Sequence, residues 1–165
     1  MKVLGITGGV GAGKSTILEY LTRAYGARVI QADQVGPHLM EAGQRCYYPI
    51  VVACGSGMLK GDQTIDREKL GKLVFTDKEK LEKLNGIIHP AVKAYIAEEI
   101  EKERNAGKVP FVAVEAALLI EDHYDEICDE IWYIYVDEKT REKRLASSRG
   151  YSEEKTKSIL RSQLS

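Results

Sequence analysis

The chain has 165 residues, the length of one domain, and its 44% hydrophobic and 30% charged content is that of an ordinary globular protein. A formal net charge of −1 excludes a global basic field of the kind that draws a protein to nucleic acid. The three cysteines, Cys46, Cys54 and Cys128, are odd in number and lack CxxC spacing, which argues against a zinc site or disulfide framework and for thiols in a reducing compartment.

The apolar opening, Val3 to Ile6, is too short for a signal segment and runs straight into glycines. No stretch approaches the roughly 18 apolar residues of a spanning helix, so no membrane partner and a cytoplasmic location are expected. Val3 to Thr7 reads as a buried strand. Lys14 to Tyr25 reads as a helix with Ile17, Leu18 and Leu21 on one face, and Arg28 to Gln31 as a second strand. From about 33 to 105 the pattern is mostly helical, broken at Gly55-Ser56-Gly57 and near Gly61-Asp62. His89 precedes Pro90, which holds it out of helical geometry and marks a helix boundary. Val109 to Glu115 and Ile131 to Val136 read as further strands. Glu138 to Ser148 and Ser152 to Leu164 read as helices, with Ser152 a suitable N-cap. Apolar runs separated by helices indicate an α/β fold, with a parallel sheet flanked by helices on both faces. The stretch between the second and third strands exceeds a plain crossover and reads as an inserted helical subdomain.

Gly8-Gly9-Val10-Gly11-Ala12-Gly13-Lys14-Ser15-Thr16 carries the strongest signal, because it fits G-x-x-x-x-G-K-[ST] between a strand and a helix. Glycines admit positive φ and close backbone approach, so successive N–H groups can surround phosphate oxygens. The following helix adds the positive end of its dipole. On this reading Gly9, Gly11, Ala12, Gly13, Lys14, Ser15 and Thr16 hold the phosphates of ATP. Lys14 reaches the β- and γ-phosphates, and the Ser15 hydroxyl ligates Mg²⁺.

Other polar residues have two readings each. Asp33, just past the second strand, can orient and deprotonate an acceptor hydroxyl, or can cap the next helix. Glu115 can help hold hydrated Mg²⁺, or can be a strand-end carboxylate bonded to the phosphate loop. Arg141 and Arg144 can clamp a transferring phosphoryl group or pair along a solvated helix face, while Arg149 beside Gly150 suits a lid. His38, His89 and His123 have no metal-ligand spacing.

Taken together, these segments resemble dephospho-CoA kinase along the whole chain. Gly5 to Ser15 is similar to that family's opening, and Ala32-Asp33 fits its Asp-Ala-Asp motif with Gln31 replacing the first acid. Asp66-Arg67-Glu68-Lys69-Leu70 with Val74-Phe75, and Leu84-Asn85 through His89-Pro90, are similar to segments of its CoA-binding region. Glu115-Ala116-Ala117-Leu118-Leu119-Ile120-Glu121 stands where the family has Asp-x-Pro-Leu-Leu-Phe-Glu. Arg144-Leu145 and Arg149 match its lid, and Gln163 matches the segment after the lid.

The resemblance implies a P-loop kinase fold with a core at about 1–32 and 108–137. It implies a helical CoA-binding insert at about 33–107 and a lid at about 138–152. It also implies transfer of phosphate from MgATP to the ribose 3′-hydroxyl of dephospho-CoA. Asp33 would be the base, Lys14, Arg144 and Arg149 would stabilise charge, and Asp33, Arg67, His89 and Leu118 would contact the acceptor. Ser15 and Glu115 are the implied metal residues. The resemblance also implies a further strand, which helps form the adenine pocket, and a final helix beyond the segment matched by these 165 residues. Two alternatives stand beside this reading: a kinase acting on a nucleoside monophosphate or shikimate, or a catalytically impaired nucleotide- or CoA-binding fragment.

Overall fold

The computed structural model describes residues 1–137 and 139–140. In chain order the elements are β1 (Lys2–Gly8), α1 (Lys14–Tyr25), β2 (Arg28–Gln31), α2 (Ala32–Leu39), α3 (Tyr47–Cys54), α4 (Arg67–Thr76), α5 (Lys78–Ala106), β3 (Phe111–Glu115) and β4 (Glu130–Ile134). They form two compact units. One comprises Met1–Ile30 with the described residues from Lys102 onward, and the other comprises Gln31–Glu101. The helices expected at Glu138 to Ser148 and Ser152 to Leu164, and Arg141, Arg144, Arg149 and Gln163 with them, lie outside the described residues.

The first unit is built on a sheet of order β2-β3-β1-β4. β1 runs parallel to both β3 and β4, with Val3 opposite Val112, Ile6 opposite Glu115 and Gly8 opposite Ile134. Both β1 and β3 are buried on alternate residues as well as on their neighbours, as parallel strands covered on both faces must be. Leu18 and Leu21 of α1 pack with Leu4, Ile6, Ala27 and Ala113, and Ile17 lies against the same cluster. α1 stops at Gly26, whose φ of 65° suits glycine. The Gly26 N–H donates to Thr22 O at 3.0 Å, the 5→1 bond of an αL helix end, and the Ala27 N–H donates to Leu21 O at 3.3 Å.

Two strand limits differ from the sequence expectation. β3 starts at Phe111, not Val109, because Pro110 has no N–H for the ladder. β4 spans Glu130–Ile134, not Ile131–Val136, because its register ends where β1 ends at Gly8. β4 is also not covered on both faces: Trp132 and Tyr133 are exposed, and among the described residues this strand lies at the sheet edge.

In the second unit Leu84, Val92, Ile96 and Ile100 form the buried stripe of α5. Val35, Leu39, Cys46, Ile50, Ile65 and Leu70 are the other buried apolar residues of this unit's core. Pro90 sits inside α5, so His89-Pro90 is not the helix boundary its sequence suggests. Pro90 and Gly86, four residues apart, are both exposed, so the backbone bond a proline cannot make is lost where water can replace it. No helix among the described residues is long and apolar enough to cross a membrane.

Candidate active site

The loop between β1 and α1 has the conformation its glycines allow. Gly8, Gly11 and Gly13 have φ of 144°, 81° and 92°. Alternating positive-φ residues of this kind build concave backbone nests that accept anions. Ala12 is buried and its N–H donates to Gly9 O at 3.1 Å, which anchors the loop on the sheet side. At Gly8 the requirement is stricter than conformation alone, because a Cβ there would overlap the Ile134 carbonyl oxygen of β4. Gly13 occupies the N-cap of α1 and brings no side chain to the first turn. An external anion can therefore take the place that an Asp or Ser cap fills elsewhere. Ser15 and Thr16, in that first turn, are exposed.

Lys14 lies over this loop. Its Nζ donates to Gly8 O at 2.5 Å and Gly9 O at 3.3 Å, and is 3.8 Å from Glu115 Oε1. Glu115 ends β3 and is held there by the ladder, with the Ala116 N–H donating to Ile6 O at 3.3 Å. Thr7 and Glu115 are the buried polar or charged residues among those described, and Glu115 is 8% exposed. Glu115 thus stands at a strand end beside the phosphate loop, the position that both of its sequence readings require. Leu118, three residues further on, is exposed.

The second unit carries Asp33, Arg67 and His89. Asp33 is exposed in the first turn of α2 but is not its cap, since Gln31 stands at the N-cap with no side-chain capping bond. Gln31, the residue in place of the motif's first acid, instead accepts from Gln34 Nε2 at 2.8 Å through its Oε1. Arg67 opens α4 and is exposed, and His89 is half-buried on α5.

Asp66 is the N-cap of α4, its Oδ1 accepting from the Glu68 and Lys69 N–H groups at 3.1 Å each. Those bonds, chiefly the one from Lys69, hold its carboxyl below the usual range. Sequence reasoning assigned Asp66 no structural role, although an Asp followed by Arg-Glu-Lys is a recognisable helix start. It also missed Arg45, which forms a two-point pair with Glu98 at 3.1 and 2.7 Å and lies 5.9 Å from the Tyr95 ring centroid. No local spacing could have announced a pair 53 residues apart.

The loop suits a phosphate chain: a glycine nest, an uncapped helix start and a lysine converge on one place. The exposed Ser15 hydroxyl and the Glu115 carboxylate are hard oxygen donors, the kind that suits Mg²⁺. No group of three or more His, Cys, Asp or Glu among the described residues could hold a metal alone.

The sequence matches the family model described as dephospho-CoA kinase over residues 2–165. A dephospho-CoA kinase of Symbiobacterium thermophilum is 37% identical over 165 residues, covering all of this chain and 68% of that protein. The structure of a dephospho-CoA kinase from Campylobacter jejuni superposes with a TM-score of 0.69 at 28% identity, covering 99% of this chain and 81% of the other. Shikimate kinase from Acinetobacter baumannii, at TM-score 0.54 and 12% identity over 98% of this chain and 73% of its own, is similar in fold alone.

Proposed function

The chain belongs to the dephospho-CoA kinase family, and we propose that it phosphorylates the ribose 3′-hydroxyl of dephospho-CoA with ATP, giving coenzyme A and ADP. The observation that carries this reading is the family match over residues 2–165, which includes the Gly8–Thr16 loop and Asp33. The 3′-oxygen attacks the γ-phosphorus, the bond from that phosphorus to the β,γ-bridging oxygen breaks, and ADP leaves. Asp33 accepts the proton of the attacking hydroxyl. The loop amides and Lys14 balance the charge spread over the γ-phosphoryl oxygens. Arg67, His89 and Leu118 are the proposed acceptor contacts, and Arg144 and Arg149 the proposed lid cations. Ser15 would hold Mg²⁺ directly, with Glu115 behind it. An ion held there would supply neutralisation of phosphate charge.

The test is transfer of label from γ-labelled ATP to dephospho-CoA, with shikimate and nucleoside monophosphates as competing acceptors. Labelled coenzyme A is the expected product. Asp33→Asn should lower kcat by about 10²- to 10⁴-fold, the usual contribution of a general base, and leave ADP affinity unchanged. Transfer to shikimate or a nucleoside monophosphate in preference to dephospho-CoA would overturn the assignment.

A further inference from the structure

We propose that Glu115 is the internal counter-ion of Lys14, a positioning residue that occupies the ammonium until nucleotide phosphates take it over. The inference rests on the nucleotide-site reading above and deepens it. Glu115 is the one buried charged residue among those described. A carboxylate withdrawn from water is costly unless a cation stands close. Lys14 supplies one 3.8 Å away, and its side chain is itself largely withdrawn from solvent. An ammonium has three donors. Two of them are engaged by Gly8 O and Gly9 O, so the lysine is folded onto the loop's own backbone with the carboxylate alongside.

Glu115 is placed for this by the sheet. As the last residue of β3 it is opposite Ile6, two residues before Gly8, whose carbonyl receives Lys14. The side chain at position 115 therefore starts from a fixed strand end close to the loop, and its length sets where the carboxylate meets the ammonium. The sequence has Glu here where the resemblance leads one to expect Asp.

An anionic phosphate entering the loop competes with Glu115 for the same ammonium and is repelled by the carboxylate. Before phosphate arrives, the pair balances the charge of a largely shielded lysine. After it arrives, Lys14 exchanges one set of anionic and carbonyl oxygens for another and needs only a short movement. This role uses no metal, which separates it from one in which Glu115 acts only through Mg²⁺.

The experiment measures ADP binding by calorimetry, with EDTA and with Mg²⁺, for the unsubstituted chain, Glu115→Gln, Lys14→Met and the double variant. Melting temperatures of the same four proteins are recorded without nucleotide. In EDTA, Glu115→Gln should bind ADP about tenfold more tightly, the scale on which close, partly buried charges couple. On the Lys14→Met background the same change should gain no more than about two- to threefold, the part due to simple repulsion. In melting, each single variant should fall and the double variant should recover part of the loss, because the two opposite charges are then removed together. Unchanged or weaker binding of ADP to Glu115→Gln in EDTA would overturn the proposal, as would an equal gain on both backgrounds. Additive losses in melting would overturn it without reference to nucleotide. Phosphate transfer to dephospho-CoA is not read in either assay, so a wrong acceptor assignment would leave these outcomes intact.

Discussion

Gly8→Ala is the substitution whose cost can be worked most directly from the structure. Gly8 ends β1 at a φ of 144°, and an added Cβ would overlap the carbonyl oxygen of Ile134, its register partner in β4. The positive φ costs an L-residue about 1–2 kcal/mol. Forcing a methyl group against backbone that cannot yield adds roughly 1–3 kcal/mol, as overpacking does elsewhere. The sum is a loss of roughly 2–5 kcal/mol, a large share of the stability of a small domain. Gly26→Ala is the matched control. Its φ of 65° is also positive, but nothing lies within 4 Å of its added Cβ, so only conformational strain remains. That control should cost about 1 kcal/mol. Urea unfolding followed by circular dichroism measures both, and the difference between them contains the collision with β4 and the greater strain of the larger φ. If Gly8→Ala costs no more than Gly26→Ala, the close approach of β1 and β4 at the loop's start is not a constraint on this residue, and the reasoning fails. Because Gly8 O also accepts from Lys14, the substitution should weaken ADP binding as well as folding.

The remaining predictions concern α4 and pH. Asp66→Ala should lower the melting temperature by removing two capping bonds from the helix that Arg67 opens, and Asp66→Asn, which can still accept them, should stay close to the unsubstituted protein. The Asp62 and Asp66 carboxyls are held below their usual 3.8, Asp62 chiefly by the Thr64 hydroxyl and Asp66 chiefly by the Lys69 N–H. Their contribution is present above 3.8 and should be lost as pH falls through the lowered values, which a melting series in acid would record. At the alkaline end burial pushes the Cys128 thiol from 9.0 up to about 11 and the Tyr124 phenol from 10.0 up to about 12. The unfolded chain then ionises first, so stability should decline as pH rises above 9.0, and Cys128→Ala should flatten the first part of that decline. A decline of equal slope in Cys128→Ala would remove this thiol as its cause.

Local chemistry made some of the molecule readable in advance. The bounds of α1 and β2 are set by signals confined to a few residues. Glycines stand at both ends of α1, an apolar stripe at Ile17, Leu18 and Leu21 runs along it, and a four-residue apolar-rich run comes after Gly26-Ala27. The phosphate loop is readable for the same reason, since glycine backbone freedom and the Lys14 charge are properties of the residues themselves. Pro90 shows where such reasoning fails. A histidine before a proline is locally disfavoured in a helix, yet Leu84 on one side and Val92, Ile96 and Ile100 on the other share one buried stripe, and their packing carries α5 through the break.

By itself, then, the sequence determined the elements whose signals are local: the parallel-strand runs, the loop of Gly8–Thr16 and the family to which the chain belongs. Tertiary structure alone decided the order β2-β3-β1-β4, in which the chain's first and third strands become neighbours. That neighbour relation brings Glu115 to Lys14, residues 101 positions apart by number (115 − 14), and sets the Ile134 carbonyl against Gly8. Such contacts depend on which strands share a ladder and in what register, and no period or spacing along the chain records that choice.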